Sequence, residues 1–293
     1  MSIQDGKEKA REYYNQEAPE YIKQYQDNYE PYPANLIRIN FIADRLKLNN
    51  VKTILDAGCG TCGPMIRLLK EGFDVNGFDF SQDMVDKGKE ELTKEGIYTG
   101  RIQQADLEKD LSIFDEEFDA AIALGVFPHI VDEKLALSNM RSVLNPGGRV
   151  FIEFRNELFS TYTFNKHSCN FFLNKLVGLG CLKLQEDIHN DITDFFSMAS
   201  FASQEDKQKD GKISYSNILA KFHNPLTISE ELFKPCGFNV IKTHFYHYHA
   251  LPPFFQNKYP KLFRELSLKM EKTDDWRGHF MASAFVIEAQ KPE

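Results

Sequence analysis

No apolar stretch in this 293-residue chain reaches the roughly 18 residues of a membrane span. The opening Met1-Ser2-Ile3-Gln4-Asp5 lacks the basic flank and apolar core of a secretory signal. These two absences give the expectation of a cytoplasmic protein with no membrane partner. Basic charge is also short: 35 Lys and Arg stand against 43 Asp and Glu, a net charge of −8. Such a chain has no general attraction for polyanions, so nucleic acid is not expected as a partner. Cysteine is sparse and odd in number, at five, which argues against a disulfide framework. Cys59-Gly60-Thr61-Cys62 reads as CxxC, but no second CxxC or CxxH completes four zinc ligands. It reads better as small residues in a tight turn, and no metal is expected. Tryptophan occurs once, whereas phenylalanine (25) and tyrosine (12) are plentiful. That excess points to a heavy core or an aromatic-walled pocket.

What is present is a rhythm. Aromatic and aliphatic residues recur at helical spacing over 7–48, broken by Pro31 and Pro33. Short buried strands are expected at Val51–Asp56, Phe73–Asp79, Arg101–Ala105, Phe118–Leu124 and Arg149–Phe154. Helical segments separate them, and Asn145-Pro146-Gly147-Gly148 reads as a turn. Two more strands are expected at Phe238–Tyr246 and His279–Ala289. Strands alternating with helices imply an α/β fold. The expected sheet is doubly wound, seven-stranded and mostly parallel, its last strand antiparallel, with helical, aromatic insertions after strands 5 and 6. The division is then an N-terminal helical cap (1–48), a core (49–155 and 226–293) and insertions (156–225 and 251–277). In open α/β sheets the ligand lies beyond the carboxyl ends of the strands. The insertions fall at that edge and are expected to form a substrate lid; they also leave room for a homodimer contact.

The chemistry gathers after the first strand. Gly58-Cys59-Gly60-Thr61-Cys62-Gly63 satisfies GxGxxG, and Asp79 lies 21 residues after Gly58. Glycines let backbone approach a ligand, and an acid ending the second strand accepts bonds from ribose hydroxyls. That spacing serves NAD, and so an NAD-dependent oxidoreductase, as well as it serves S-adenosylmethionine. Three further features separate them. Asp56 stands just before the glycines, where a carboxylate repels a pyrophosphate but suits an ammonium and a sulfonium. Asp106 and Leu107 follow the third strand, an acid for an adenine amino group beside an apolar neighbour for the ring. Leu144-Asn145-Pro146-Gly147-Gly148-Arg149 leads into the fifth strand.

This series, in this order over about residues 10–155 and the last strands, resembles class I S-adenosylmethionine-dependent methyltransferases. The resemblance implies that Asp56 and the backbone of Gly58, Cys59 and Gly60 hold the methionine end. It places Asp79 and Phe80 at the ribose, Met84, Asp106 and Leu107 at the adenine, and Gly125 beside the methionine part. Tyr14, in the pattern Tyr14-Asn15-x-x-Ala18-x-x-Tyr21, would close over the cofactor. Where the family has glycine two residues after Gly60, this chain has Cys62, so the following helix is expected to start one residue late. Each acid has a plainer reading too, as a helix cap, and Met84 as core packing.

Methyl transfer to a hydroxyl or amine of a small molecule, a sugar or another metabolite, would need an aligned acceptor and a proton acceptor. His129 follows the fourth strand as a base or a cap. His247 and His249 are further base candidates; on a strand they share a face, opposite Tyr246 and Tyr248. Their spacing alone does not supply a metal site. Arg155, Asn156, His223 and Tyr246 are candidate acceptor contacts, with an ordinary ion pair as the alternative for Arg155. A cofactor-binding partner protein that methylates nothing is the remaining alternative.

Overall fold

The computed structural model describes residues 32–171 and 220–293, with Glu12, Tyr13, Tyr25, Lys175, Asn190, Asp191, Thr193 and Asp194. Tyr14, most of the helical stretch expected before residue 32, and the polar segment Ser203 to Lys212 lie outside the described residues.

The described strands are β1 (Thr53–Ala57), β2 (Asp74–Asp79), β3 (Ile102–Gln104), β4 (Phe118–Ala123), β5 (Leu144–Arg155), β6 (Asn239–Tyr248) and β7 (Ala282–Gln290). They form one seven-stranded sheet in the order β3-β2-β1-β4-β5-β7-β6. Strands β1 to β5 pair in parallel, and β7 runs antiparallel to both its neighbours. The carboxyl ends of β1, β4, β5 and β6 therefore share one edge. Both faces are covered, which is why β1 reads as a run with every residue from Ile54 to Ala57 buried, rather than as an alternation. Leu55, Phe78, Ala121 and Phe154 join the core on one face; Ile54, Val75, Ile122 and Phe151 join that on the other.

Helices α1 (Ala34–Leu48), α2 (Gly63–Lys70), α3 (Gln82–Lys94), α4 (Glu133–Ser142) and α5 (Pro260–Met270) pack around the sheet. Two have clear starts: the Ser81 hydroxyl caps α3, and the Asp132 carboxylate accepts from the Leu135 N–H of α4. Helix α1 buries Arg38, Ile39, Ile42, Ala43 and Leu46, one helical face.

Three elements depart from the expectation. The Asn145–Gly148 turn does not precede the fifth strand but lies inside β5. Between two paired positions the chain advances two residues on β4, Phe118 to Ala120, and five on β5, Leu144 to Arg149. The turn is thus a bulge, with Gly147 at φ 74°. Residues Gly278–Met281 are helical, so the last strand starts at Ala282 instead of His279. At the end of β6, His247 takes φ 58°, which breaks the strict alternation. Tyr246 joins the larger core beside α1, whereas Tyr248 packs with Met270 and Ala282 in a separate cluster.

A buried carboxylate ties α1 to this half of the sheet. Glu288 on β7 is 0% exposed. It accepts from Arg45 Nε and Nη2 at 2.8 and 3.0 Å, from Arg149 Nη1 at 2.8 Å, and pairs with His244 Nε2 at 3.0 Å. Burial alone would raise its pKa, but bonds from His244 and Arg45 hold it down at about 2. Its folded value is depressed, so its contribution is present above about pH 4.5 and is lost as pH falls towards 2. Glu288→Ala leaves Arg45 and Arg149 without their carboxylate and should cost about 3–5 kcal/mol in urea unfolding at pH 7. A loss below about 1 kcal/mol, the scale of a surface pair, would show that the cluster is not the anchor.

Candidate active site

At the carboxyl ends of β1, β2 and β4 the chain encloses a cavity of about 1100 Å³, counting its open mouth. Its floor is the glycine turn. The Gly58 and Cys59 N–H groups both donate to the Phe78 carbonyl, at 2.8 and 2.9 Å, which fastens the turn to β2. Gly58 sits at φ 80°, and a Cβ there would meet Val126 Cγ2 at 2.4 Å. Helix α2 begins at Gly63, after Cys62 in the left-handed region, with Pro64 in its first turn. Cys62 is fully buried and is not part of the wall, whereas Thr61 is.

Two acids face one another across this turn. Asp79 Oδ2 accepts from Gly60 N–H and Oδ1 from Ser81 N–H, both at 2.9 Å. Burial nevertheless raises its pKa. Asp56 is 1% exposed, and its Oδ2 has no hydrogen-bond partner among the described residues. Burial first, then the Asp79 charge, pushes Asp56 up to about 7, against the opposing pull of Arg38. The cavity therefore presents an unsatisfied carboxyl whose charge is costly until a cation arrives.

The sequence-selected residues around it meet in one place. Asp56, Gly58, Cys59 and Gly60 line the floor, and Asp79, Phe80 and Met84 one side. Asp106, Leu107 and Gly125 complete the far wall. His129, in the 3₁₀ turn Phe127–His129, also lines the cavity. The second set does not gather there. Asn156 is buried, and its amide donates to the carbonyls of His279 and Ala282 at 2.8 Å, while its oxygen accepts from Leu158 N–H. It pins the β5 end to β7 and is no pocket wall. His223 bonds Glu133 at 2.7 Å and packs edge-on against Phe154, in a separate groove beside α4. Tyr246 donates to Glu153 beneath the site, and Arg155 is half-buried at the end of β5, outside the cavity lining. His247 and His249 stand together at the β6 end, ring centroids 4.9 Å apart. Among the described residues no group of three or more His, Cys, Asp or Glu is arranged to hold a metal ion.

Two residues of the site escaped the sequence reading. Tyr25 lines the cavity, and its ring lies where a Cβ on Gly63 would stand, 2.5 Å from that position. The third glycine of GxGxxG thus makes room for a tyrosine. Arg38, 2% exposed, donates to Tyr25, Glu153 and Tyr246. The only signal for it in sequence is an arginine on the otherwise apolar face of α1.

A sequence profile for a methyltransferase domain matches residues 54–148. A ubiquinone/menaquinone biosynthesis C-methyltransferase of Geotalea daltonii is 33% identical over 173 residues, 56% of this chain and 70% of that protein. The chain belongs to the class I S-adenosylmethionine-dependent methyltransferases. A ubiquinone biosynthesis O-methyltransferase of Coxiella burnetii is 26% identical over 142 residues, 48% of this chain; the match spans only 59% of that relative's length. A magnesium protoporphyrin IX methyltransferase of Synechocystis PCC 6803, crystallised with S-adenosylhomocysteine, shares the fold at a TM-score of 0.54 and 16% identity, over 98% of this chain and 99% of that one.

The cofactor is S-adenosylmethionine, and the cavity fits it on its own terms. The unpartnered Asp56 oxygen suits an ammonium, the Asp79 carboxylate a ribose diol, and Asp106 with Leu107 an adenine. The NAD reading of the same glycine spacing is thereby set aside. Asp79→Ala should weaken S-adenosylhomocysteine binding at least tenfold in calorimetry, since each charge-assisted bond is worth roughly 1.5–3 kcal/mol. If Asp56 holds the ligand ammonium it must be ionised there, against its own burial and Asp79 and with help from Arg38. Affinity should therefore fall as pH drops from 8 to 6, and Asp56→Asn should flatten that slope. A wild-type slope identical to that of Asp56→Asn would refute this role.

Proposed function

We propose that this chain transfers a methyl group from S-adenosylmethionine to an oxygen or nitrogen of a small-molecule acceptor, a sugar or another metabolite. The observation that carries the proposal is the buried Asp56 oxygen without a partner, facing a cavity also lined by Asp79 and Asp106. Three acids around one cavity match a cationic nucleoside without phosphates.

Bound S-adenosylmethionine supplies a methyl group already activated on a sulfonium. The protein's own residues then orient, shield and move a proton. Asp56 holds the ammonium. Tyr25, held by Arg38, closes the wall beside Gly63. Asp79 takes the ribose hydroxyls, and Leu107 and Met84 pack on the adenine. His129, on the wall past Gly125, is the group we assign to receive the acceptor's proton. The net charge of −8 disfavours a nucleic-acid acceptor. The matched relatives are named for O- and C-methyltransferases, so their names do not choose the accepting atom.

The test is formation of S-adenosylhomocysteine from methyl-labelled S-adenosylmethionine with a panel of hydroxylated and amino metabolites. Turnover with at least one is expected, and His129→Asn should lower kcat by about 10²–10⁴ with cofactor affinity unchanged. Tight cofactor binding without turnover across the panel would instead favour a non-catalytic binding protein.

A further inference from the structure

The CxxC of the glycine turn is a feature that methyl transfer leaves unused. Cys59 and Cys62 are both free thiols, 4% and 0% exposed. The Cys62 N–H donates to the Cys59 carbonyl at 2.8 Å, which closes a four-residue turn between them. Such a turn holds its end Cα atoms within about 7 Å, and a disulfide spans roughly 4.4–6.8 Å. A Cβ on Gly77 would stand 3.3 Å from Cys59 Sγ, and one on Gly88 2.8 Å from Cys62 Sγ. Two missing side chains thus give the sulfurs their space. The thiols also act on each other. Cys62 first, then burial, then the charges of Asp56 and Asp79 push the Cys59 thiol well above its ordinary range.

A bond between these sulfurs reaches the floor of the cavity. Gly60 and Thr61 stand between the two cysteines, and both line the cavity, as Cys59 does. The Gly60 N–H is bonded to Asp79 at 2.9 Å. Cys62 holds φ 65°, a conformation that a non-glycine residue keeps only where its surroundings impose it. A disulfide closes a ring around Gly60 and Thr61 and imposes its own geometry on both. The reaction consumes one peroxide, which enters through the open cavity. The Cys59 sulfur attacks an oxygen, the O–O bond breaks, water leaves, and Cys59 becomes a sulfenic acid. The Cys62 sulfur then displaces that hydroxyl as a second water and forms the S–S bond. Both thiol protons end in water, and two electrons from the sulfurs reduce the peroxide. A thiol held protonated reacts slowly, so the pair withstands brief exposure.

We infer that Cys59 and Cys62 form a redox switch in the cofactor turn: a peroxide converts them to a disulfide that weakens the hold on S-adenosylmethionine. The inference rests on the placement of the cofactor in this cavity and adds a control over it. By reciprocity, bound cofactor opposes the disulfide by the same factor.

In the test, the full chain without cofactor is treated with hydrogen peroxide, and the remaining thiols are alkylated. Mass spectrometry of the digest finds Cys59 and Cys62 joined, in a peptide lighter by two hydrogens. In calorimetry the oxidised chain binds S-adenosylhomocysteine about tenfold or more weakly than the reduced chain, the scale of a lost hydrogen bond, and dithiothreitol restores the affinity. Two variants lack the pair: Cys62→Ser, and Cys62→Gly, which suits the left-handed backbone. Both bind S-adenosylhomocysteine within about twofold of the wild type and keep that affinity through peroxide treatment. Oxidation of the partly exposed Cys236 without a Cys59–Cys62 disulfide overturns the inference. A disulfide that leaves affinity unchanged, a loss that dithiothreitol does not reverse, or an equal loss in the two variants also overturns it. Failure of the reduced wild type to bind S-adenosylhomocysteine overturns the cofactor reading instead.

Discussion

A buried carboxyl group with one unpartnered oxygen, its charge only partly offset by Arg38, is the constraint around which this site is built. Asp56 lies near the end of β1, 1% exposed, at the floor of the cavity. Asp79 lies across the glycine turn and makes its charge costlier still. The turn cannot move away, because Gly58 and Cys59 are bonded to the β2 carbonyl and Gly60 to Asp79. Arg38 relieves part of the cost, but its guanidinium is shared among Glu153, Tyr246 and Tyr25. In the proposed reading, the remainder is met by a ligand that brings its own positive charge. In the same reading, that oxygen favours a sulfonium nucleoside over a dinucleotide, since a pyrophosphate would add a third negative group.

The cofactor half of the molecule was legible because its signals are local. Asp56, the glycines and Asp79 lie within one β-α-β unit, and their spacing alone sets them around one cavity. Asp106 follows from the end of the next strand. Where sequence reading failed, the deciding contact was distant in the chain. The Asn-Pro-Gly-Gly segment has every mark of a turn, yet pairing with β4 on both sides of it, at Leu144 and Arg149, carries β5 through it and turns it into a bulge. Asn156 reads as a pocket residue from its place after β5, but the carbonyls that take its amide come from residues 279 and 282. Tyr25 and Arg38 reach the site from the N-terminal segment, and no spacing rule relates them to the glycine turn.

The other half of the sheet is held differently. On β7, between β5 and the edge strand β6, a charged cluster is added to the apolar core, where Glu288 gathers Arg45, Arg149 and His244. That cluster and the Arg38–Glu153–Tyr246 group both run from α1 to the β5-β7-β6 strands. Helix α1 therefore links the cavity residue Tyr25 to the β5-β7-β6 half of the sheet through Arg38 and Arg45. Part of the aromatic excess packs in the core, where Phe127, Phe233 and Phe285 surround Phe154, and part at the β6 end, where Tyr32, Phe159 and Phe263 pack on His247 and His249.

The central claim concerns the charge of one side chain, so the most direct measurement observes that side chain. Carbon-13 NMR of labelled aspartate, with Asp56 assigned through Asp56→Asn, follows its carboxyl across pH in free protein and with S-adenosylmethionine bound. The account predicts a midpoint near 7 in the free protein and a clear downward shift in the complex. A free-protein midpoint near the ordinary aspartate value of about 3.9, or one that does not move on binding, would contradict it.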